Sequence, residues 1–554
     1  MSTLRHLAAT AVLIVPATAT AQLPADTAAL VDKVFAAYNH TDSPGCVLGL
    51  NRGGQPLSRK GYGMASLEMA APMAEFTVVE SGSVAKQFTA AAIAYLAIQG
   101  KLNLDDDIRK HVPELPDYGS PITIRMLVNH TSGVRDMWTL FTLSGEALGE
   151  NLFTMDRALR MVYRQRELNF TPNSQFLYSN SGFLLLADIV RRVSGKPLDQ
   201  FSQEVFFRPL GMTRTQWRSD WNRVVPGRAT AYAPIGGGGF RVDMPYMSVY
   251  GAGGLLTTVG DLLLWNEHLD APRIGGKSWA DSMHVRGRLN NGRQIDYAMG
   301  LFHASYRGTR EIQHGGATGG YRTYLARYPD RQLSAAVLCN LASVNSEGLV
   351  HQVVDVFLGP VSPVSTSSAS GPETKPASSA ADLSQYAGRY RASATEETAT
   401  LSVRDGRLTI DVGFRVPLTP LANDWFKAAD APVKVGFARG TDGKLSSLLI
   451  VMQDRDTTRY EPSVPPASTP AQLAAFAGTY YSDELDAVYS VTLRDTLLVA
   501  KVRDANEIVL SRTGPDSFAR PGTGAFRFTR AKTGKVDGFL LFAGRVRNLR
   551  FTRR

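Results

Sequence analysis

The sequence predicts an α/β domain, built from an antiparallel sheet and a helical lobe, followed by two small antiparallel β-barrels. Three observations support this prediction. The chain has 554 residues, too many for one core, which indicates two or three domains. Strand-like runs near residues 46–51 and 321–340 enclose a long segment with helical periodicity. After Leu358, short alternating runs broken by Gly, Asp and Asn are typical of antiparallel β structure.

The N-terminal segment, residues 1–21, has the pattern of a secretory signal peptide. A basic start precedes the apolar run Leu7–Val15, and Ala19-Thr20-Ala21 forms an Ala-x-Ala cleavage site. No other segment of the sequence is long and apolar enough to span a bilayer. We therefore expect an exported protein, in a bacterial periplasm or outside the cell, with no transmembrane segment after signal removal.

The most informative local motif is Ser83-Val84-Ala85-Lys86, at the predicted start of a helix. Residues three apart share a helix face, so Lys86 is expected one turn from Ser83, close enough to take its proton. A serine hydroxyl is a poor nucleophile until a base removes that proton. Taken alone, the motif also fits a helix N-cap serine followed by a surface lysine.

Two further motifs favour the chemical interpretation. Tyr178-Ser179-Asn180 leads into an apolar helix, and His314-Gly315-Gly316 precedes an alternating strand-like run, residues 321–328. Singly, these motifs fit a buried tyrosine, a helix cap and a turn histidine. Their order along the chain, after Ser83 and Lys86, resembles the serine β-lactamase and penicillin-binding-protein superfamily.

The resemblance extends from about Ala25 to Leu358 and predicts a β-lactamase-like domain over residues 22–358. Leu127–Val134 looks like the family's His-Thr-Ser-Gly segment, in which His130 is expected to be structural, and Gly251–Thr258 looks like its glycine turn. The similarity is closest to the class C β-lactamase-like branch, which includes esterases, D-aminopeptidases and D,D-peptidases.

The resemblance implies a role for each motif. Ser83 is the expected nucleophile of an acyl-enzyme, and Lys86 and Tyr178 share proton transfer, with either as the general base. The backbone N–H groups of Ser83 and Ala317 are expected to form the oxyanion hole. The predicted substrate-binding residues are Asn180, His314, Gly315, Gly316 and Ala317, and Asn180 should hold either Lys86 or a substrate amide.

His314 departs from the family's lactamase pattern, where a lysine stands. Histidine is mostly neutral at pH 7 and titrates near pH 6.5, so recognition of a substrate carboxylate should be weaker. This difference favours D-aminopeptidase-like or esterase-like substrates over β-lactams. Gly315 and Gly316 should allow a substrate to approach the strand backbone closely. The acidic group Asp483-Glu484-Asp486 is a candidate for binding a substrate ammonium, or else an exposed hairpin.

Two Pro- and Ser-rich linkers, residues 359–381 and 461–470, delimit the barrels at residues 382–460 and 471–554. The two segments look like repeats of each other, and their length suits closed barrels of roughly eight strands. Such barrels resemble the lipocalin-like accessory domains of some family members. D-aminopeptidases carry two of them, so the whole architecture resembles theirs.

The chain has two cysteines, Cys46 and Cys339, each in an apolar strand-like run. In the family's fold the first strand lies antiparallel beside the last, so a cross-strand disulfide and two buried free cysteines are both open interpretations. The absence of Cys-x-x-Cys and His-Glu-x-x-His motifs gives no reason to expect a metal or cofactor. The net charge of +10 is dispersed, which argues against nucleic-acid binding.

The sequence thus predicts an exported serine hydrolase that cleaves amide or ester bonds through an acyl-enzyme. The expected partner is a small-molecule or peptide substrate: a D-amino-acid amide, an ester or a β-lactam. The alternative is a penicillin-binding or muropeptide-sensing protein without turnover, or a weak β-lactamase.

Overall fold

The computed structural model describes residues 23–147, 149–359, 383–428 and 433–554. The predicted signal peptide and nearly all of the predicted linker at residues 359–381 lie outside these ranges. Within them, no helix is both long and apolar enough to cross a membrane.

The first domain contains sixteen strands among the described residues. They are β1 (Cys46–Arg52), β2 (Gln55–Tyr62), β3 (Met64–Ser66), β4 (Ala71–Pro72), β5 (Val79–Glu80), β6 (Phe153–Thr154), β7 (Gln216–Trp217), β8 (Tyr232–Pro234), β9 (Phe240–Val242), β10 (Met247–Ser248), β11 (Leu255–Thr257), β12 (Tyr297–Ala298), β13 (Leu301–Tyr306), β14 (Thr309–Thr318), β15 (Tyr321–Tyr328) and β16 (Leu333–Cys339). Seven of them form the main antiparallel sheet, in the order β12-β13-β14-β15-β16-β1-β2.

The helices of this domain surround the main sheet and build the helical lobe. They are α1 (Ala25–Val34), α2 (Lys86–Ile98), α3 (Ile124–Val128), α4 (Met137–Leu143), α5 (Met155–Tyr163), α6 (Asn180–Ser194), α7 (Leu198–Ser202), α8 (Arg208–Leu210), α9 (Val259–Asp270), α10 (Gly276–Met283) and α11 (Ser346–Leu358).

The centre of the main sheet is buried on both faces. Leu48 and Leu50 of β1 pack into a cluster with residues of α1 and α11, whereas Val47 belongs to the cluster that includes α9. This explains why β1 and β16 read as continuous apolar runs rather than alternating ones. The two strands are antiparallel neighbours, with Cys46 opposite Cys339. Their sulfur atoms form a disulfide, which resolves the question that the sequence left open.

Helix α2 occupies the middle of the helical lobe. Its residues from Lys86 to Ala94 are all buried, as expected for a helix that is apolar on every side. Phe88 packs against Trp265 of α9, with ring centroids 4.3 Å apart. The start of α2 is therefore held rigidly between the sheet and the lobe.

The C-terminal part forms two closed antiparallel barrels of eight strands each, so the predicted fold class is confirmed. The first comprises β17 (Gly388–Arg391), β18 (Thr398–Arg404), β19 (Arg407–Asp411), β20 (Arg415–Pro420), β21 (Trp425–Ala428), β22 (Val433–Arg439), β23 (Leu445–Met452) and β24 (Arg455–Pro462). The second comprises β25 (Gly478–Ser482), β26 (Ala487–Arg494), β27 (Leu497–Val502), β28 (Ile508–Arg512), β29 (Ser517–Arg520), β30 (Gly524–Arg530), β31 (Val536–Ala543) and β32 (Val546–Arg553), preceded by helix α12 (Pro470–Ala474).

Candidate active site

Ser83 and Lys86 lie together at the N-terminal end of α2. Ser83 belongs to a 3-10 turn, Gly82–Ala85, and α2 begins at Lys86. A 3-10 turn has three residues per turn, so the side chains of residues three apart eclipse one another. Lys86 Nζ accordingly lies 3.0 Å from Ser83 Oγ. The helical proximity expected from the sequence is present in the structure.

The surroundings of Lys86 favour a neutral amine. Its side chain is fully buried, and Nζ donates hydrogen bonds to Asn180 Oδ1 at 2.8 Å and to Ala252 O at 2.6 Å. Burial holds the pKa of Lys86 well below its usual value; the charge of Arg545 lowers it further, and Asp136 opposes the shift. A neutral amine has two N–H groups and one lone pair. The two carbonyl oxygens use the N–H groups, which leaves the lone pair for the Ser83 hydroxyl proton.

Asn180 is held by a carboxylate that the sequence reasoning missed. Asp136 Oδ2 accepts hydrogen bonds from both the backbone N and Nδ2 of Asn180, each at 2.7 Å. Asp136 also caps α4, because its Oδ1 accepts from Thr139 N at 3.1 Å. The N-cap position before an apolar helix was the available sequence signal. Asp136 therefore orients the amide that in turn orients Lys86.

Tyr178 is buried beside the Ser83–Lys86 pair. Its ring centroid lies 4.8 Å from Lys86 Nζ and 4.8 Å from Arg545 Cζ. Its hydroxyl has no hydrogen-bond partner within the described part of the chain. Burial raises the pKa of Tyr178, while the neighbouring Ser83 hydroxyl and the Arg545 charge oppose that rise. A protonated phenol in this position can donate to a leaving group.

The ring of His130 packs against the ring of Tyr178, which fits the structural role expected for His130 from the sequence. The two ring centroids are 4.1 Å apart. His130 Nδ1 accepts a hydrogen bond from Ser179 N at 3.1 Å. Burial lowers the pKa of His130 well below its usual value, so the ring is neutral at pH 7.

His314 lies on β14 and is almost fully buried. Its Nδ1 lies 2.6 Å from Gly315 O, and its Nε2 lies 3.1 Å from the hydroxyl oxygen of Tyr297. A neutral imidazole satisfies both contacts, by donating from Nδ1 and accepting at Nε2. Burial, the largest cause, lowers the pKa of His314 to about 3. The titration near pH 6.5 expected from the sequence is therefore wrong, because that expectation took the ring to be solvated.

The glycines near Ser83 allow β14 to touch the turn that carries the serine. A Cβ on Gly82 would lie 2.5 Å from Ala317 N, and a Cβ on Gly316 would lie 2.1 Å from Ser81 O. Gly82 also has a φ of +51°, which favours glycine. These contacts bring Ala317 against the Ser83 turn. The structure thus adds a contact within the protein to the substrate approach expected at Gly316.

These elements face a cleft of about 1000 Å³ that is bounded by the first domain and both barrels. The predicted site residues that line it are Ser83, Tyr178, Asn180, His314, Gly315, Gly316 and Ala317. Lys86, the remaining one, is buried against Ser83. The first barrel contributes Asp454 and Arg455 to the lining, and the second contributes Arg545. Residues of both barrels thus reach the cleft, a point that the sequence left open.

The first barrel pairs with the segment that carries Tyr178. Tyr178 N donates to Asp454 O at 2.8 Å, and Asp456 N donates to Phe176 O at 3.0 Å. Leu177 and Arg455 form a β-bridge between them. Residues at the turn between β23 and β24 therefore pair through their backbone with the segment that carries Tyr178, which lines the cleft.

The second barrel holds the loop that precedes Asp136. Arg135 is fully buried, and its Nη1 donates to Glu484 Oε2 at 2.6 Å. Its Nε and Nη2 donate to the backbone oxygens of Arg547 and Asn548. The carboxylate of Glu484 is thus already paired with Arg135. The proposed ammonium-binding role of Asp483, Glu484 and Asp486 is not supported, since none of the three lines the cleft.

Asp454 and Arg545 were also missed by the sequence reasoning. Each lies in a two-residue β-turn of its barrel and has no motif around it. The only available signal was the internal repeat, which makes the two turns equivalent. Their place in the cleft depends on how the barrels dock on the first domain, and local sequence does not encode this.

Comparison with known proteins agrees with this architecture. Residues 31–358 match the family model described as Beta-lactamase, and residues 372–461 match a domain of unknown function, DUF3471. D-aminopeptidase of Gluconobacter oxydans is 28% identical over 297 residues, which cover 54% of this chain and 56% of that protein. The chain thus spans just over half of that relative's length.

Other relatives are matched over more of their length. D-aminopeptidase of Cereibacter sphaeroides is 27% identical over 460 residues, which cover 82% of each chain. The solved structure of the octameric penicillin-binding protein homologue from Pyrococcus abyssi shares the fold, with a TM-score of 0.55 and 21% identity over 78% of this chain and 99% of that one. Since the Beta-lactamase model matches more than half of the chain, the protein belongs to the Beta-lactamase family and is a serine hydrolase of that family.

Proposed function

We propose that this protein is an exported serine hydrolase that cleaves an amide or ester bond through an acyl-enzyme on Ser83, with D-aminopeptidase-like or esterase-like substrates. The observation that carries the proposal is the buried Lys86 amine, 3.0 Å from Ser83 Oγ, with both N–H groups of its neutral form already bonded to carbonyl oxygens.

The mechanism follows from this arrangement. Lys86 Nζ takes the hydroxyl proton as Ser83 Oγ bonds to the substrate carbonyl carbon. The resulting oxyanion is bound by the backbone N–H groups of Ser83 and Ala317, each worth about 3 kcal/mol of transition-state stabilisation. The proton then passes through the Tyr178 hydroxyl to the leaving amine or alkoxide. Water attacks the acyl-enzyme in the second half-reaction, activated by the same groups.

The neutral state of His314 supports D-aminopeptidase-like or esterase-like substrates. A lysine at that position would offer a permanent cation for a substrate carboxylate, whereas His314 is neutral at pH 7. The guanidinium of Arg545, which also lines the cleft, is already paired with Asp454. The lining also contains Asp243, a carboxylate beside Arg322, and Glu347, a carboxyl group whose pKa is raised by burial; the Asp243 carboxylate suits a substrate ammonium. The relatives named D-aminopeptidase agree with this preference.

Export is supported by two features of the chain. The first 21 residues have the pattern of a secretory signal. The disulfide between Cys46 and Cys339 is a bond that oxidising compartments permit. Expression of the full chain in a bacterial host, with cell fractionation and intact-mass measurement, should find the mature protein outside the cytoplasm and beginning at Gln22. An uncleaved cytoplasmic product would contradict export.

The activity is tested with a substrate panel on the purified protein. The panel contains D-alanine and L-alanine p-nitroanilides, a p-nitrophenyl ester and a chromogenic cephalosporin, each with Ser83→Ala as the control. We expect turnover of the D-anilide or the ester, and its loss in the variant. A stable adduct with a fluorescent penicillin, without turnover of any compound, would instead support the penicillin-binding alternative.

A further inference from the structure

Two equivalent hairpins, one from each barrel, line the cleft. In the first barrel, β23 and β24 are joined by Gln453-Asp454, because Met452 pairs with Arg455. In the second, β31 and β32 are joined by Gly544-Arg545, because Ala543 pairs with Val546. The hairpins are equivalent in the internal repeat, but one ends in an acid and the other in a base.

These two residues bind one another across the barrel boundary. Nε and Nη2 of Arg545 donate to Asp454 Oδ2 at 3.0 and 2.9 Å. Asp454 Oδ1 accepts from Arg455 Nε at 3.1 Å. The ion pair therefore fixes the guanidinium of Arg545, which is a cation of definite orientation.

Both members of the pair also contact the predicted catalytic groups. The backbone oxygen of Asp454 accepts from Tyr178 N at 2.8 Å, and Arg545 Cζ lies 4.8 Å from the centroid of the Tyr178 ring. The backbone oxygen of Arg545 accepts from Asp136 N at 3.3 Å, and Asp136 holds Asn180. The guanidinium of the ion pair thus contacts the tyrosine ring, and the backbones of the same two residues bind Tyr178 and the Asp136 that leads to Lys86.

We propose that Arg545, anchored by Asp454, is a positioning residue for the reaction at Ser83: it fixes the Tyr178 ring beside Lys86 and places a guanidinium of fixed orientation next to the groups that receive the serine proton. The inference rests on the proposed function. It makes both barrels necessary for the chemistry, since each supplies one member of the pair.

The direction of the electrostatic effect is the same for both candidate bases. The charge of Arg545 lowers the pKa of Lys86 and that of Tyr178. Removing this charge therefore raises both pKa values, and the site needs a higher pH to become active. The other titratable and charged groups that face Lys86 and Tyr178 are Asp136, His130, His314, Tyr297 and Asp454.

The test measures how fast a fluorophosphonate probe labels Ser83 as a function of pH, which requires no knowledge of the substrate. In Arg545→Met, we expect the midpoint of the acid limb to rise by about one pH unit or more. Arg545→Lys keeps the charge and should keep the midpoint within about 0.3 unit of the wild type. Should Arg545→Met fail to fold, Arg545→Gln makes the same change of charge and can still bond Asp454.

The matched control is Arg547→Met. Arg547 lies on the adjacent strand at the same interface, where its Nη1 donates to Gln175 Oε1 at 2.9 Å, and it is not among the groups that shift the pKa of Lys86 or Tyr178. The pH midpoint of labelling in Arg547→Met should match that of the wild type. An unchanged midpoint in folded Arg545→Met would overturn the inference, as would a midpoint that shifts equally in Arg545→Lys. Labelling that persists in Ser83→Ala would instead overturn the proposed function.

Discussion

A single methyl group at position 316 is predicted to displace the turn that carries Ser83. The Cβ of an alanine there would lie 2.1 Å from Ser81 O and 2.4 Å from Thr323 Oγ1. Such atoms need roughly 3 Å or more in a close-packed interior, so the backbone must move by about 1 Å. We expect Gly316→Ala to cost about 1–3 kcal/mol of folding stability. A misplacement of about 1 Å should slow labelling of Ser83 by about 100-fold.

The neighbouring glycine supplies a matched control for stability. A Cβ on Gly315 would meet its nearest neighbour, Tyr324 Cδ2, at 3.6 Å, which is an ordinary contact. Urea unfolding should therefore separate Gly316→Ala from Gly315→Ala by at least about 1 kcal/mol. The rate of fluorophosphonate labelling should fall in Gly316→Ala without loss of the folded state. Equal unfolding midpoints for the two variants, with wild-type labelling of Gly316→Ala, would show that the Ser83 turn tolerates a methyl group at position 316.

The other predictions concern the interface, the disulfide and pH. Glu484→Leu leaves the buried guanidinium of Arg135 with neutral hydrogen-bond acceptors but without the carboxylate that neutralises its charge, so it should destabilise docking of the second barrel by about 3–5 kcal/mol; limited proteolysis that releases no barrel would contradict this. Cys46→Ala with Cys339→Ala should lower the stability of the first domain by about 3–5 kcal/mol in urea, and an unchanged midpoint would argue against the bond. Burial lowers the pKa of His268 to about 4, so the stability it contributes is present above pH 6.5 and is lost as the pH falls towards 4. Between pH 6.5 and 5 that loss is about 1.5 kcal/mol, and His268→Gln should lose less over the same interval.

The part of the site that lies on contiguous motifs was predictable from the sequence. The spacing of Ser83 and Lys86 fixes their contact through local helical geometry alone. The strands that carry Cys46 and Cys339 were recognisable as apolar runs, although the sequence did not decide whether the sulfur atoms bond. The repeat after Leu358 also predicted two similar β domains, because the repeated pattern survives in the strands themselves.

The remaining part depends on how distant segments pack together. Asp454 and Arg545 are turn residues, and the sequence around them resembles that of any charged hairpin. Only the docking of the barrels on the first domain brings them to the cleft. Glu484 showed the opposite error: its acidic surroundings suggested exposure, but Arg135 of another domain neutralises it. The neutral state of His314 at pH 7 was expected, but the expected pKa near 6.5 was too high, because the packing of the ring against Tyr297 and Phe302 arises from the sheet and cannot be read from the His-Gly-Gly motif.

The central claim is that the hydroxyl of Ser83 becomes covalently acylated because a neutral lysine removes its proton. The most direct measurement is mass spectrometry of the protein after acid quenching of a turnover reaction with the p-nitrophenyl ester, followed by peptide mapping. We expect an acyl mass on the peptide that contains Ser83, absent from Ser83→Ala and strongly reduced in Lys86→Met. An acyl group on another residue, or continued turnover by Ser83→Ala, would contradict it.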